Sequence, residues 1–204
     1  MKRLIDLVYS YKYYFPLIII YEIIYIIIGY KGNKFIIRNS KSSTDTIPCP
    51  YFFLSKIYRV LIKLNVKSFT DIGCGNGRVI HYFLKKRLKC EFRGYEIFED
   101  SYNFCRKIFQ NNLKVKLFNQ NFFSSDFKSS YSSCYFINDP IKSTSIHNNS
   151  FNKLINFHKR EGLDAYFVIV NLSDDKTEIF KNFILIKSFK IDTKGYKIYL
   201  LKNE

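Results

Sequence analysis

Three glycines at alternate positions, in Asp71-Ile72-Gly73-Cys74-Gly75-Asn76-Gly77-Arg78, are the residues of this chain best placed for chemistry. They follow a short apolar run and open a helical pattern. Glycine lets the backbone turn tightly and approach a ligand with no Cβ in between. The first N–H groups of the following helix then face that ligand. A dinucleotide-binding loop needs a third glycine where Arg78 stands, and a P-loop needs a Gly-Lys-Ser/Thr that does not follow. Asp71, just before the first glycine, would repel a pyrophosphate and suits a ligand carrying an ammonium or sulfonium. Gly94-Tyr95-Glu96 ends the next apolar run. A carboxylate there, about twenty residues beyond the glycines, can accept both hydroxyls of a ribose.

Asp71-Ile72-Gly73-Cys74-Gly75-Asn76-Gly77 followed by Glu96 resembles motif I and the acidic position after it in class I S-adenosylmethionine-dependent methyltransferases. The resemblance covers roughly residues 50–204. It implies S-adenosyl-L-methionine as cofactor, with Gly73, Gly75 and Gly77 along its methionine and ribose side. By the same resemblance Asp71 holds the amino acid part, Glu96 takes the ribose hydroxyls and Ile97 packs on the adenine. Asn121-Phe122 is similar to the motif that meets the adenine amino group, with Asn where the family prefers Asp. Asn138-Asp139-Pro140 half-resembles the Asn/Asp-Pro-Pro-aromatic signature of amino-group methyltransferases, Ile141-Lys142 standing where the second proline and aromatic would be. It resembles more closely a subgroup with an N-terminal hydrophobic helix and an Asn-Pro-Phe at this site, Asp139 replacing the Asn. Asp139 and Asn138 are therefore the expected catalytic pair, orienting an amine and holding its hydrogens.

These residues need a scaffold that brings strand ends together. Apolar runs at 66–72, 91–95, 114–118, 134–137 and 165–170 alternate with helical stretches at 76–87, 99–111 and 149–160. That spacing means βαβ units and a parallel sheet. Phe183–Ile191 and Tyr196–Leu201, joined by Asp192-Thr193-Lys194-Gly195, read as a hairpin. The expected fold is α/β: a Rossmann-like, seven-stranded, mostly parallel sheet with a terminal antiparallel hairpin, preceded by an apolar helix.

That helix is the second distinctive feature. Tyr13 to Tyr30 is an 18-residue stretch with one charge, Glu22. At ~1.5 Å per residue it spans roughly 27 Å, near the ~30 Å hydrocarbon core of a bilayer. Leu17 and eight isoleucines favour insertion by roughly 3–5 kcal/mol in all, and a central carboxylate opposes it by about 3. The leading expectation is a single-pass anchor over 13–30, within an anchor unit 1–30, a linker 31–49 and a methyltransferase domain 50–204. The excess of Lys and Arg after the stretch puts the catalytic domain on the cytoplasmic side. An apolar helix packed on the domain or lying in the interface is the alternative, and a cleaved signal peptide a third.

The net charge of +16 suggests nucleic acid or an anionic membrane surface. Lys outnumbers Arg 25 to 8, however, and phosphate and base readers lean on Arg. The skew toward Ile, Lys, Phe, Tyr and Asn looks like coding bias, so nucleic acid is not the expected partner. Five cysteines without a C-x-x-C pair, and three histidines apart from them, predict neither a disulfide scaffold nor a metal site. His147 and His158 are expected on helix surfaces, with a general-base role as the alternative. The expected function is methyl transfer at a membrane, protein lysine N-methylation among its forms. A non-catalytic binding module on the same fold, or a methyltransferase acting on a lipid-linked small molecule, is the alternative.

Overall fold

The computed structural model describes residues 12–33, 36, 47–127, 133–191 and 194–202. Seven strands form one sheet: β1 (Ser68–Ile72), β2 (Glu91–Tyr95), β3 (Val115–Phe118), β4 (Cys134–Ile137), β5 (Ala165–Val170), β6 (Ile184–Ile191) and β7 (Lys194–Leu201). Their order is β3-β2-β1-β4-β5-β7-β6. The first five are parallel, with β7 antiparallel to both β5 and β6. The expected topology is therefore present, though Asp192 and Thr193 of the hairpin turn lie outside the described residues.

Strand side chains alternate faces, and the core divides accordingly. Cys134 and Phe136 of β4 and Val168 and Val170 of β5 point into one layer. Tyr135, Ile137, Phe167 and Ile169 point into the other. The first layer is covered by α2 (Tyr51–Leu61), α3 (Arg78–Lys85) and α4 (Glu99–Phe109). The second is covered by α5 (Thr144–Arg160) and the short α6 (Asp174–Thr177), which runs on to the buried Phe180. Helix α5 begins five residues before its expected start, because the Ser143 side chain accepts from the Ile146 N–H and caps it.

The N-terminal stretch departs from the leading expectation. Helix α1 runs Phe15–Ile27, 13 residues or roughly 20 Å, too short for the hydrocarbon core. Among the described residues no helix is long and apolar enough to cross a membrane. Nor is α1 a separate unit. Ile18, Tyr25 and Tyr30 belong to the first core layer, and α1 packs on α2. The physical reason is Glu22. Rather than facing lipid, its carboxylate accepts from the Tyr51 N–H at 2.8 Å and pairs with Arg78 Nη1 at 2.7 Å. It thus caps α2, whose N-terminal Pro50 offers no capping side chain. Most of the expected linker lies outside the described residues.

Candidate active site

Chain order reverses between β1 and β4, and a doubly wound sheet opens its ligand crevice at such a switch point, beyond the strand ends. The glycine loop leaves β1 there. Gly73, Gly75 and Gly77 all adopt left-handed backbone, with φ of 76°, 52° and 77°. Gly77 is the most constrained: a Cβ would lie 2.7 Å from Cys105 Sγ and 2.8 Å from the Phe109 ring. Its φ and its contact with α4 both require glycine.

Glu96 closes the loop from the end of β2. One carboxylate oxygen accepts from Gly75 N–H at 2.8 Å and the other from Phe98 N–H at 2.9 Å. Asp71 is buried in β1, and its Oδ2 has no hydrogen-bond partner. Burial, reinforced by the nearby Glu96 charge, raises its carboxyl to about 8. A buried acid with an orphaned oxygen beside a cleft is a site for a cationic group.

The cleft is lined by Asp71 to Asn76, Glu96, Ile97, Asn121, Phe122, Asn138 and Pro140. Eight of the ten sequence-predicted site residues are thus on its wall. Gly77 shapes the loop from behind. Asn121 Oδ1 accepts from Phe123 N–H and caps a short 3-10 turn. Phe122 is buried edge-on against Tyr95, which stacks on Phe118. Ile97 is half exposed over the opening.

Asp139 is brought elsewhere. Asn138 and Pro140 line the glycine-loop cleft, whereas Asp139, at φ 43°, lies along a second cleft with Asn171 and Lys197. Its Oδ1 takes the ammonium of the buried Lys176 at 2.5 Å, and that ammonium also donates to Ile141 O. The pair braces the turn that presents Asn138. Asn138 in turn donates from Nδ2 to Ile47 O at 2.9 Å.

The histidines are corrected from surface to interior. His158 is fully buried between Leu163 O and the Tyr135 hydroxyl, both at 3.0 Å. His147 is also buried, its ring on Phe151 at 4.5 Å. Burial lowers the pKa of both, and neither lines the main cleft. The five cysteines are free and buried, and no group of metal-binding side chains occurs among the described residues.

Sequence reasoning missed one wall. Gly32 and Ile47–Cys49, from the segment after α1, complete the cleft. Gly32 crosses so close to the glycine-loop helix that a Cβ would sit 2.5 Å from Arg78 N. Arg78 donates to Cys49 O at 3.1 Å, pairs with Glu22 and lies over the Tyr51 ring at 4.3 Å. The signal was Glu22, the single charge in an apolar run.

No family model matches the chain, and no curated protein does. Solved structures do match in fold. An Escherichia coli protein described as a methyltransferase aligns at a TM-score of 0.57 and 14% identity, over 77% of this chain and 88% of its own. An RNA methyltransferase from Salinibacter ruber, in complex with S-adenosyl-L-homocysteine, aligns at 0.55 and 15%, over 78% and 95%. A Clostridium thermocellum protein described as an rRNA methylase aligns at 0.52 and 16%, over 74% and 97%. The likeness is one of fold.

Proposed function

We propose that this chain is an S-adenosyl-L-methionine-dependent methyltransferase. The observation that carries the reading is the buried, orphaned Asp71 carboxyl facing a glycine-loop cleft that Glu96 also lines. A dinucleotide pyrophosphate does not fit that electrostatics; a ligand with an ammonium, a sulfonium and a ribose does. The fold neighbours, one of them with S-adenosyl-L-homocysteine bound, support it.

The cofactor would supply an activated methyl group. The chain's work is then to bind, orient and exclude water. Asp71, ionised by a bound cation, holds the amino acid part. Glu96, held by Gly75 N–H and Phe98 N–H, would accept the ribose hydroxyls. Ile97 and Phe122 offer apolar surface to a flat ring, with Asn121 at its edge.

On the acceptor side Asn138, Pro140, Ile141 and Ile146 meet Ile47 and Pro48 across the cleft. This apolar slot suits the methylene stem of a lysine, its amine reaching the Asn138 amide. An amine must be neutral to attack, so a dry slot also favours deprotonation. Protein lysine N-methylation is the acceptor class this reading favours. RNA is the second reading, favoured by the +16 charge and by a fold neighbour that is an RNA methyltransferase. Transfer of labelled methyl from S-adenosyl-L-methionine to a cell extract, split into protein and RNA, tests both. Label in neither, with no S-adenosyl-L-homocysteine binding by calorimetry, removes the enzyme and leaves a non-catalytic scaffold.

A further inference from the structure

Helix α1 is turned inside out relative to an ordinary surface helix, which buries its aliphatic face and exposes its polar one. Here the polar side chains point inward. Glu22 binds Arg78 and the Tyr51 N–H, Tyr21 packs edge-on against Phe52, and the Tyr25 and Tyr82 hydroxyls meet at 3.4 Å. Apart from the buried Ile18, the aliphatic side chains face largely outward: Leu17, Ile20, Ile23, Ile24 and Ile27 are 44–76% exposed. At helical spacing they form one continuous stripe, and such a patch marks a docking surface.

The surroundings of the stripe identify the occupant. Lys56 Nζ lies over the Phe52 and Phe189 rings, which Tyr14 also meets at the N-terminal end. Lys85 and Lys86 lie over Tyr30 and Tyr25 toward the C-terminal end. Tyr13, almost fully exposed, stands at the N-terminal end. An apolar stripe with lysine rims and a terminal tyrosine matches the layering of a bilayer surface: acyl chains, then anionic headgroups. A second copy of the chain matches poorly. It would oppose lysine rims of the same sign on molecules that each carry +16. We propose that α1 lies in the plane of an anionic lipid bilayer, its outer stripe among the acyl chains, while its inner face stays bonded to Arg78.

The proposal is independent of the cleft's chemistry. Its test is flotation of the full chain with vesicles of phosphatidylcholine, with and without phosphatidylglycerol. The protein should float with the anionic vesicles and come off in alkaline carbonate. Ile20→Ser/Ile24→Ser/Ile27→Ser should lower partition by about ten-fold or more at an unchanged melting temperature, since these side chains are exposed. Lys85→Gln/Lys86→Gln should lower it by about five-fold per lysine, on the anionic vesicles only. No flotation, flotation of the triple-serine chain, or equal binding to neutral vesicles would overturn the proposal. Carbonate resistance would overturn it in favour of a span. A concentration-dependent dimer in light scattering, abolished by the serines, would assign the stripe to a second copy.

Discussion

On the proposed reading, Asp71 makes cofactor binding a proton-linked event. Burial raises its carboxyl to about 8, so at pH 6 it is protonated. Ionising it there costs about 2.7 kcal/mol, two units at about 1.36 each. A bound ammonium or sulfonium stabilises the ionised form, so binding below pH 8 expels one proton. Affinity for S-adenosyl-L-methionine should rise about ten-fold per unit from pH 6 toward 8. Near pH 8 it should level and then decline, because an α-amino group has an ordinary pKa of about 7.7–8.0. Calorimetry in buffers of different ionisation enthalpy reads both the dissociation constant and the proton released. Asp71→Asn should abolish the slope and the release, and bind more weakly at pH 8. The same group has a signature without ligand. Its folded pKa lies above the unfolded value of 3.8, so its stabilising contribution is complete below about pH 4 and is lost as pH rises to about 8. The Asn substitution should remove that loss. A dissociation constant that is flat between pH 6 and 8, or a slope that survives in Asp71→Asn, would refute the reasoning.

Three further outcomes are expected. Glu96→Ala removes two charge-assisted hydrogen bonds, one to Gly75 N–H of the loop and one to Phe98 N–H, as well as the ribose acceptor, so it should lower both melting temperature and S-adenosyl-L-homocysteine affinity, each bond being worth roughly 1.5–3 kcal/mol. An unchanged affinity by titration would take Glu96 out of the site. Glu22→Gln leaves the buried Arg78 without its carboxylate and should destabilise by about 3 kcal/mol in denaturant, cofactor affinity falling with it. Stability and affinity unchanged in that variant would make α1 an appendage. Asp139→Ala strands the buried Lys176 and should lower stability similarly, with Lys176→Met restoring much of it in a double-mutant cycle. Methyl transfer per folded molecule should persist, and its loss at full cofactor affinity would return Asp139 to the acceptor site.

What could be read from the sequence was whatever a local rule dictates. The alternating β and α runs have periods that the backbone imposes, and the glycines of 73–77 sit at left-handed φ, which favours glycine. Glu96 was legible because a strand end fixes where its side chain emerges. Asp139 was not, because one residue along a turn changes which cleft a side chain meets. Asn138 and Pro140 face one cleft and Asp139 the other, and a left-handed φ at Asp139 sets that division. The histidines were misplaced for a related reason. In an Asn- and Lys-rich helix they look solvated, but α5 is covered by Tyr135 and Phe180 from distant parts of the chain, and no local pattern reports that cover.

Glu22 shows why the N-terminal stretch misled and what it implies for the site. Hydropathy scores each residue against lipid, so a carboxylate within an apolar run registers as a cost of insertion. It does not score a partner 56 positions away. Once Arg78 is that partner, α1 cannot leave the domain without stranding a guanidinium at the first residue of the glycine-loop helix. The segment that follows α1 supplies Gly32 and Cys49 to the cleft wall, and Gly32 fits there because it lacks a side chain. An outward aliphatic stripe and an inward carboxylate on one helix therefore join two surfaces. Whatever the stripe rests on is two hydrogen-bonded steps, Glu22 and then Arg78, from the glycine loop and its cleft.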